Sequence, residues 1–303
     1  MKELVSVIIP CYMDSATLGK AIESVIGQSY SPIEIIVVND CSPETLLIEG
    51  CLTNYPQVRY LRNPVNVGLA ATRNNGLAIA GGEFVAFLDA DDEYRPDKIK
   101  LQIDAIEPNM VVTCGTVNLY QDGRIKENRK PPRIITNTNH LLYRNTLNGA
   151  ALLAPKELLT KFGGFDSTLR SCEDFDLWLR LISSGIKVKD IGQPLYIYYS
   201  NPLGLSKNFR NISKWDIEVV QRHASRIGVE WQHTYQYAGV IVVWLLRHLI
   251  RSELINDHEL RELAIKKINM LEAFPIIRVL FTFFAQSRLL YLLIMVTYRK
   301  CRY

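Results

Sequence analysis

The sequence predicts an α/β fold in which a mostly parallel β-sheet is flanked by helices and followed by a mainly helical C-terminal region. Short apolar, largely β-branched runs alternate with helical patterns over roughly the first hundred residues. These runs are apolar throughout, as in parallel strands covered on both faces. From about Ile212 onward the pattern is almost entirely helical. We therefore expect a first domain of residues 1–210 and a helical region of residues 211–303.

The first four strand–helix pairs can be read directly from the sequence. Strands are predicted at Leu4–Pro10, Ile33–Asp40, Val58–Asn63 and Glu83–Asp89, and helices at residues 15–28, 42–47, 68–80 and 95–106. Ser15 and Ser42 are candidate N-caps, with Pro43 at the first helical position. Parallel sheets bind ligands beyond the carboxyl ends of their strands. We therefore expect Asp40 and Asp89, each at a strand end, to lie on one rim of the sheet.

The second half of the first domain is less regular. Residues 111–120 read as a strand that runs into a turn, and residues 121–147, rich in polar residues, read as a long loop. A strand is predicted at residues 148–154. A glycine-rich turn then leads to a helix from about Cys172 to Ser184, and residues 187–191 and 195–200 are predicted as two short closing strands.

Charge and cysteine content narrow the class of protein. The chain has 303 residues, is 48% hydrophobic and 22% charged, and carries a net charge of +4, as ordinary globular proteins do. Its six cysteines form no CxxC pair or Cys/His cluster, so a zinc site is not expected. We expect these cysteines to be free thiols in a reducing cytosol. The run that starts the chain is too short for a signal peptide and stops at Pro10. No nucleic-acid partner is expected.

The C-terminal segment combines positive charge with apolar residues. Residues 261–303 carry eight Lys and Arg against two Glu, which favours an anionic surface such as lipid, the alternative being a solvated helical face. The longest uninterrupted apolar run, Leu289–Val296, is far below the roughly 20 residues that span a bilayer. Arg278, Thr282 and Gln286 form a partial polar stripe, which indicates a helix lying in the membrane interface. A buried helical subdomain and a dimer interface are alternatives; we expect peripheral binding to the cytoplasmic face of the membrane.

Three carboxylates, Asp89, Asp91 and Asp92, lie at the end of the fourth predicted strand and just beyond it. Clustered carboxylates become favourable when they face a divalent cation, and Mg²⁺ or Mn²⁺ typically takes one or two of them together with substrate phosphates. The alternative is a solvated acidic turn in which Asp92 caps a helix. The set at a strand end favours a metal site.

Other polar residues are candidates for binding or catalysis. Asp40 suits a hydrogen bond to a nucleobase N–H or a turn. Arg73, on a helix preceded by Asn66 and Gly68, suits a diphosphate or a site carboxylate, unless it is a surface arginine. The acidic pair that begins a helix, Glu173–Asp174, suits either capping of that helix or a general base.

Taken together, these segments form an ordered set. "VSVIIPCYM", "IIVVNDCS", "NVGLAATRNNGLAIAGGEFVAFLDADD", "GGFD" and "EDFDLWLRL" occur in that order. Over roughly residues 4–206 the chain resembles the inverting glycosyltransferases of family 2, which share the Rossmann-like GT-A nucleotide-sugar-binding fold.

The resemblance implies roles for individual residues. Pro10 and Tyr12 would lie beside the nucleotide, Asp40 on its base, and Arg73 near the base or diphosphate. Asp89 and Asp91 would match the Asp-x-Asp motif that contacts ribose and metal-bound diphosphate. The Glu173–Asp174 pair would be catalytic, with Asp174 as the base.

The resemblance also implies a reaction, and it has one departure. A sugar would pass from a nucleotide-diphosphate donor to a hydroxyl of a saccharide or lipid-linked saccharide acceptor, with inversion and with Mn²⁺ or Mg²⁺ as cofactor. Many members carry an Arg and a His where Tyr199 and Asn201 stand here. A third metal or phosphate contact is therefore not implied, and Ser206 is only a weak candidate.

Three other functions are weighed against this one. A sugar-1-phosphate nucleotidyltransferase would show a glycine-rich basic loop after the first strand, and "PCYMDSATL" is neither. A dinucleotide-dependent oxidoreductase would show GxGxxG there. A catalytically silent nucleotide-sugar-binding subunit would be expected to lack the acidic motif or Asp174, and both are present. An oligomer is compatible with the sequence.

Overall fold

A computed structural model describes residues 2–201, 204, 208–228, 234–254 and 257–286. It confirms the α/β class, with a central sheet, flanking helices and a helical C-terminal region. The sheet has ten strands within the described residues: β1 (Val5–Cys11), β2 (Ile33–Asn39), β3 (Arg59–Arg62), β4 (Phe84–Phe87), β5 (Glu93–Tyr94), β6 (Met110–Leu119), β7 (Ile125–Glu127), β8 (Arg133–Ile135), β9 (Leu153–Pro155) and β10 (Lys187–Tyr199).

The helices follow the predicted alternation. They are α1 (Ser15–Ile26), α2 (Thr45–Leu52), α3 (Leu69–Ile79), α4 (Lys98–Ile103), α5 (Asn139–Tyr143), α6 (Lys156–Lys161), α7 (Glu173–Ser183), α8 (Phe209–Ile227), α9 (Tyr235–Leu254), α10 (His258–Lys266) and α11 (Pro275–Gln286). Two short 3₁₀ helices occupy Gly149–Ala151 and Lys267–Leu271.

The strand order of the sheet is β3-β2-β1-β4-β9-β6-β10-β5, with β7 paired to β6 and β8 to β10. β3, β2, β1 and β4 run parallel, as do β6 and β10, whereas β9 runs antiparallel to its neighbours. Cys11 pairs with Asn39, and Ile8 with Phe87. This register brings the carboxyl ends of β1, β2 and β4 to one rim.

Helices cover both faces of the parallel strands. On one face, α1 joins the core through Leu18, Ile22 and Val25. On the other, α3 approaches β1 so closely that a Cβ on Gly76 would lie 2.5 Å from Ile8 Cγ2. Only glycine permits that approach without displacement of the strand. Burial on both faces explains why the strands read as continuous apolar runs.

Two predicted helix caps are wrong. Asp14 occupies the N-cap position of α1 without a side-chain capping bond, and Ser15 is the first helical residue. α2 begins three residues after Ser42. The Ser42 hydroxyl instead accepts hydrogen bonds at 3.0 Å from the backbone N–H groups of Met13 and Glu44. It joins the end of β1 to the turn after β2, a contact that local sequence does not reveal.

The predicted loop over residues 121–147 is also incorrect in part. It contains the short strands β7 and β8 and helix α5. β7 is exposed along its length, so its side chains show no alternation of apolar and polar residues. The strand predicted at residues 148–154 is a 3₁₀ turn followed by β9, and the two closing strands are a single strand, β10, with irregular pairing near Pro194.

The chain divides into two compact units, one of Met1–Thr138 with Thr146–Lys207 and one of Asn139–Asn145 with Asn208–Tyr303. The first holds the sheet, and the second is helical. No helix in the described part of the chain is long and apolar enough to cross a membrane. The apolar run Leu289–Val296 lies outside the described residues.

Candidate active site

The rim formed by β1, β2 and β4 carries several of the predicted residues. Pro10 is buried within β1, and Tyr12, just beyond its end, is 42% exposed. Asp40 follows β2 and is buried, and Asp89 follows β4 with a partly exposed side chain. An exposed aromatic ring and two carboxylates therefore lie at one edge of the sheet, as strand-end positions predict.

Asp40 organises the loop that precedes α3. Its carboxylate accepts hydrogen bonds from the backbone N–H groups of Val67 and Gly68, each at 2.8 Å, and from Asn63 Nδ2 at 2.9 Å. A carboxylate offers about four acceptor positions, so three are occupied by the protein itself. Asn66, in the same loop, is exposed.

Gly68 occupies a backbone conformation that favours glycine, and the Arg170 side chain lies directly against it. Its φ is +87°, and a Cβ there would lie 2.7 Å from Arg170 Nη1. Arg170 donates a 3.0 Å hydrogen bond to the carbonyl oxygen of Val67. Arg170 therefore supports the loop from outside, and it was not among the residues predicted from the sequence.

Arg73 joins the acidic motif after β4 to the acidic pair on α7. Its Nη2 donates to Asp89 Oδ1 and its Nη1 to Glu173 Oε1, both at 2.8 Å. The side chain is only 3% exposed, which excludes a surface arginine. Its guanidinium lies 5.2 Å from the centre of the Phe165 ring.

The two carboxylates keep Arg73 charged. Burial by itself would lower the pKa of this guanidinium, but the negative charges of Asp89 and Glu173 outweigh burial and raise it. Within the described residues, Arg73 Nε has no hydrogen-bond partner. The guanidinium is thus a fixed positive charge at the sheet rim.

The segment "GGFD" holds Phe165 against Arg73. Asn74 of α3 both donates to the Phe165 carbonyl oxygen at 2.7 Å and accepts from its N–H at 2.9 Å. Arg180 donates to the carbonyl oxygens of Phe162 and Gly164, at 2.6 and 2.7 Å. The roles of Asn74 and Arg180 were not predicted, although "GGFD" is one of the segments that carry the family resemblance.

Arg180 is itself fixed by Asp176. The Arg180 Nε lies 2.7 Å from Asp176 Oδ2, one helical turn earlier on α7, and the Asp176 side chain has no exposed surface. An acidic residue four positions before an arginine is a recognisable helical pair. That spacing was the available signal for this clamp.

A further carboxylate, that of Asp14, lies near the acidic motif formed by Asp89 and Asp91. Burial raises the pKa of Asp91 to about 6, helped by the negative charges of Asp89 and Asp14. Burial likewise raises the pKa of Asp14 to about 6, with Asp89 contributing. Asp14, which lies shortly after β1, was not predicted either, and its position beyond a strand end could have indicated it.

Asp92 does not cap a helix, which was the alternative considered for it from the sequence. α4 begins after Asp97, not after Asp92. The Asp92 carboxylate accepts from the Tyr196 hydroxyl at 2.7 Å and from the Tyr199 N–H at 2.9 Å, and the Asp89 N–H donates to the Tyr196 hydroxyl oxygen at 3.2 Å. Burial raises the pKa of Asp92 to about 8, with Asp89 and Asp91 contributing. Asp92 therefore anchors the acidic turn to β10.

Tyr199 is one of the two residues at which the sequence departs from the family pattern. It also helps to join β10 to the segment that follows the acidic turn. Its hydroxyl donates to Glu93 Oε1 at 2.7 Å. Ser206, the weak candidate beyond it, lies outside the described residues.

Asp174 begins α7 next to Glu173. Its carboxylate accepts from the N–H of Phe175 at 2.6 Å and from the N–H of Gly149 at 3.3 Å. A Cβ on Gly149 would collide with the Cβ of Asp174. The residue before this pair, Cys172, has a φ of +61°. This turn points the acidic pair of α7 in two directions, with Glu173 buried on Arg73 and Asp174 partly exposed.

The environment of Asp174 raises its pKa above the ordinary value. Burial is the main cause and the charge of Glu173 adds to it, while the charge of Arg73 opposes the shift. A partly exposed carboxylate with a raised pKa is suited to accept a proton near neutral pH. The site thus contains an acidic rim, a fixed guanidinium and a carboxylate with the properties of a base.

Comparison with known proteins identifies relatives of this chain. A family model described as glycosyl transferase family 2 matches residues 6–161. An uncharacterized glycosyltransferase of Haemophilus influenzae is 33% identical over 233 residues, 73% of this chain and 76% of that protein. WfgD of Escherichia coli, a UDP-Glc:alpha-D-GlcNAc-diphosphoundecaprenol beta-1,3-glucosyltransferase, is 27% identical over 251 residues, 81% of this chain and 95% of WfgD.

A solved structure shares the fold. TarS 1-349 of S. aureus, also crystallised in complex with UDP, superposes with a TM-score of 0.58 and 19% identity over 94% of this chain and 90% of that one. The likeness at this identity concerns the fold alone. The family model covers more than half of the chain, and the H. influenzae relative aligns with most of both proteins. The chain therefore belongs to glycosyl transferase family 2 and is a glycosyltransferase.

Proposed function

We propose that the protein transfers a sugar, with inversion, from a uridine diphosphate sugar to a hydroxyl of a lipid-linked or growing saccharide. The observation that carries this proposal is Arg73, which holds Asp89 and Glu173 together and so sets the acidic motif beside the acidic pair of α7. Donor and acceptor chemistry need these two groups in one site. The uridine nucleotide is proposed from WfgD and from the UDP complex of TarS.

The nucleotide is proposed to bind at the rim of β1 and β2. Tyr12 offers an exposed ring, Pro10 shapes the strand end, and Asp40 has one acceptor position beyond the three that the protein uses. Asn66 and Gly68 shape the loop whose position Asp40 sets. Arg73 supplies positive charge toward the diphosphate.

Asp89 and Asp91 would hold Mn²⁺ or Mg²⁺. No group of three or more His, Cys, Asp or Glu side chains in the described part of the chain is arranged to hold a metal ion. This fits a cation that takes one or two carboxylates and fills its remaining positions with phosphate and water. The raised pKa of Asp91 also fits, because burial and the negative charges of Asp89 and Asp14 cause it and a bound cation would oppose both. When bound, the cation supplies positive charge to the departing diphosphate.

Asp174 is proposed as the general base. It takes the proton of the acceptor hydroxyl, whose oxygen forms a bond to the anomeric carbon of the donor sugar. The bond from that carbon to the diphosphate oxygen breaks, and its electron pair leaves with the nucleotide. Attack from the opposite face inverts the anomeric centre. Glu173, placed on Arg73 at 2.8 Å, positions that arginine and takes no proton in this scheme.

Peripheral binding to the cytoplasmic face of the membrane is proposed for the helical region. On α11, Ile276 and Val279 are 75% and 67% exposed. Arg278, the first residue of the predicted polar stripe, donates to Asn269 Oδ1 at 3.0 Å, while the side chain of Gln286 lies outside the described residues. Exposed apolar side chains on a segment with excess positive charge suit an anionic membrane interface.

The direct test is a titration of the protein with UDP by calorimetry, with and without Mn²⁺. We expect binding that depends on Mn²⁺ and is lost in Asp91→Ala. Binding of a different nucleotide diphosphate would correct the donor, and equal binding by Asp91→Ala would remove Asp91 from the metal site.

A further inference from the structure

Three arginines come together within the helical unit. Arg247 and Arg251 are four residues apart on α9 and therefore lie on one face of that helix. Arg247 Nη1 donates to the carbonyl oxygen of Tyr143, the last residue of α5, and Arg144 follows directly. Arg144 is exposed, and the other two are partly exposed. We call these three residues the arginine cluster.

The cluster has an excess of positive charge. Arg251 Nη1 lies 3.0 Å from both Asp216 Oδ2 and Ser213 Oγ. Asp216 also contacts His248 Nε2 at 2.8 Å, and burial lowers the pKa of that histidine, which favours its neutral form. Within the described residues no carboxylate forms an ion pair with Arg144 or Arg247. Asp216 thus pairs directly with Arg251 and acts on Arg247 only through its charge, while the charge of Arg144 adds to that of Arg251 around Arg247.

Mutual repulsion and partial burial act on the centre of the cluster. Burial lowers the pKa of Arg247 most, and the charges of Arg251 and Arg144 lower it further, although Asp216 opposes them. An anion placed among these groups would relieve that repulsion. Positive charges that are partly buried without enough partners destabilise the fold when no ligand is bound. We infer that an anionic ligand balances these charges.

Aromatic rings hold two of the guanidinium groups in place. Arg247 lies 4.6 Å from the centre of the Trp244 ring, and Arg251 lies 5.7 Å from that of Phe209. Guanidinium groups fixed on rings lose little freedom when they bind, and their planar forks match phosphate oxygens. The geometry therefore suits a compact polyanion more than a lone carboxylate.

We propose that the arginine cluster binds the diphosphate group of a lipid-linked acceptor. This inference rests on the proposed function, in which the acceptor is lipid-linked. The excess of positive charge in the cluster suits the two negatively charged phosphates that link the saccharide to the lipid. Recognition of this group would select a lipid-linked saccharide over the same saccharide free in solution.

Geranyl diphosphate is the probe, titrated by calorimetry into the full chain in EDTA. We expect wild type to bind it and Arg144→Gln to weaken the binding about tenfold, the effect of losing one charge-assisted contact. Arg144 is exposed, so this variant should fold. Arg226→Gln, which removes an exposed arginine from α8, is the matched control and should bind as wild type. Equal affinity in wild type and Arg144→Gln, or no binding by wild type, would overturn the proposal.

Two further measurements separate the alternatives. Sedimentation with phosphatidylglycerol vesicles should be unchanged by Arg144→Gln; loss of vesicle binding with unchanged affinity for geranyl diphosphate would make the cluster a membrane contact and the proposal wrong. UDP binding with Mn²⁺ is measured on the same preparations. If UDP binds and geranyl diphosphate does not, this inference alone fails. If geranyl diphosphate binds but UDP does not, and Arg144→Gln weakens the binding of geranyl diphosphate, the proposal for the arginine cluster is supported and the proposed donor site is wrong.

Discussion

The guanidinium of Arg73 donates a 2.8 Å hydrogen bond to the carboxylate of Glu173, a residue 100 positions further along the chain. The contact separates the two acidic residues that begin α7. Glu173 is committed to a buried arginine, and Asp174, the next residue, is partly exposed with a raised pKa. The adjacent pair thus divides into one positioning residue and one candidate base.

The first prediction separates these two roles. Asp174→Asn should lower kcat by about 10²–10⁴-fold, the usual contribution of a general base, while UDP affinity stays unchanged. Glu173→Gln keeps an oxygen that can accept from Arg73, so its loss of kcat should be about tenfold at most. Steady-state turnover and UDP calorimetry measure both effects. An equal collapse of kcat in the two variants would contradict the division.

The second prediction concerns stability. Arg73→Met leaves Glu173 buried without its partner and should lower the free energy of unfolding by about 3 kcal/mol. That figure is the lower end of the usual range, because the Asp89 side chain is 33% exposed and solvent screens its charge. Urea denaturation measures the change. Arg73→Lys, which keeps the charge but not the forked geometry, should lose less stability; an equal loss would show that geometry alone matters.

The third prediction is a pH dependence of metal-assisted donor binding. Burial, with the charges of Asp89 and Asp14, raises the pKa of Asp91 to about 6. A protonated carboxyl is a poor metal ligand, so Mn²⁺-dependent UDP affinity should be full above that pKa and fall about tenfold per pH unit below it. Calorimetry across this range measures the effect. The weaker UDP binding in EDTA serves as control and should change little; a parallel fall there would assign the pH effect elsewhere.

The fourth prediction uses the close approach of Gly149 to Asp174. A Cβ at Gly149 would collide with the Asp174 side chain, so Gly149→Ala should displace the candidate base and lower kcat at least about tenfold. Gly50→Ala is the matched control, because Gly50 lies in α2 and a Cβ there would meet no neighbouring atom within 4 Å. Alanine there should leave kcat unchanged and stabilise the helix by up to about 1 kcal/mol. Full activity in Gly149→Ala would show that Asp174 tolerates displacement.

Strand-end positions were predictable because they follow from a local pattern and one general rule. Apolar runs identified β1, β2 and β4, and parallel register placed Asp40 and Asp89 on one rim. The same rule could have identified Asp14 as a residue of the rim. It was missed because only residues directly after a strand were considered.

Contacts between distant segments were not predictable in the same way. Asn74 and Arg180 form hydrogen bonds with the segment around Phe165, and Tyr196 forms one with Asp92. Neither periodicity nor spacing in the sequence relates these residues to their partners. Asp92 as a helix cap was a reasonable local interpretation. It is wrong because β10 reaches the acidic turn from more than a hundred residues away.

Local patterns along the chain sufficed for the fold class and for the rim on which Asp40 and Asp89 lie, because burial on both faces of parallel strands leaves a direct trace in hydrophobicity. Only the folded structure assigned partners to those residues. Glu173 pairs with Arg73, and Asp174 does not. Two neighbouring carboxylates look alike in a sequence, and the backbone turn at Cys172 together with α3 decides which of them meets the arginine.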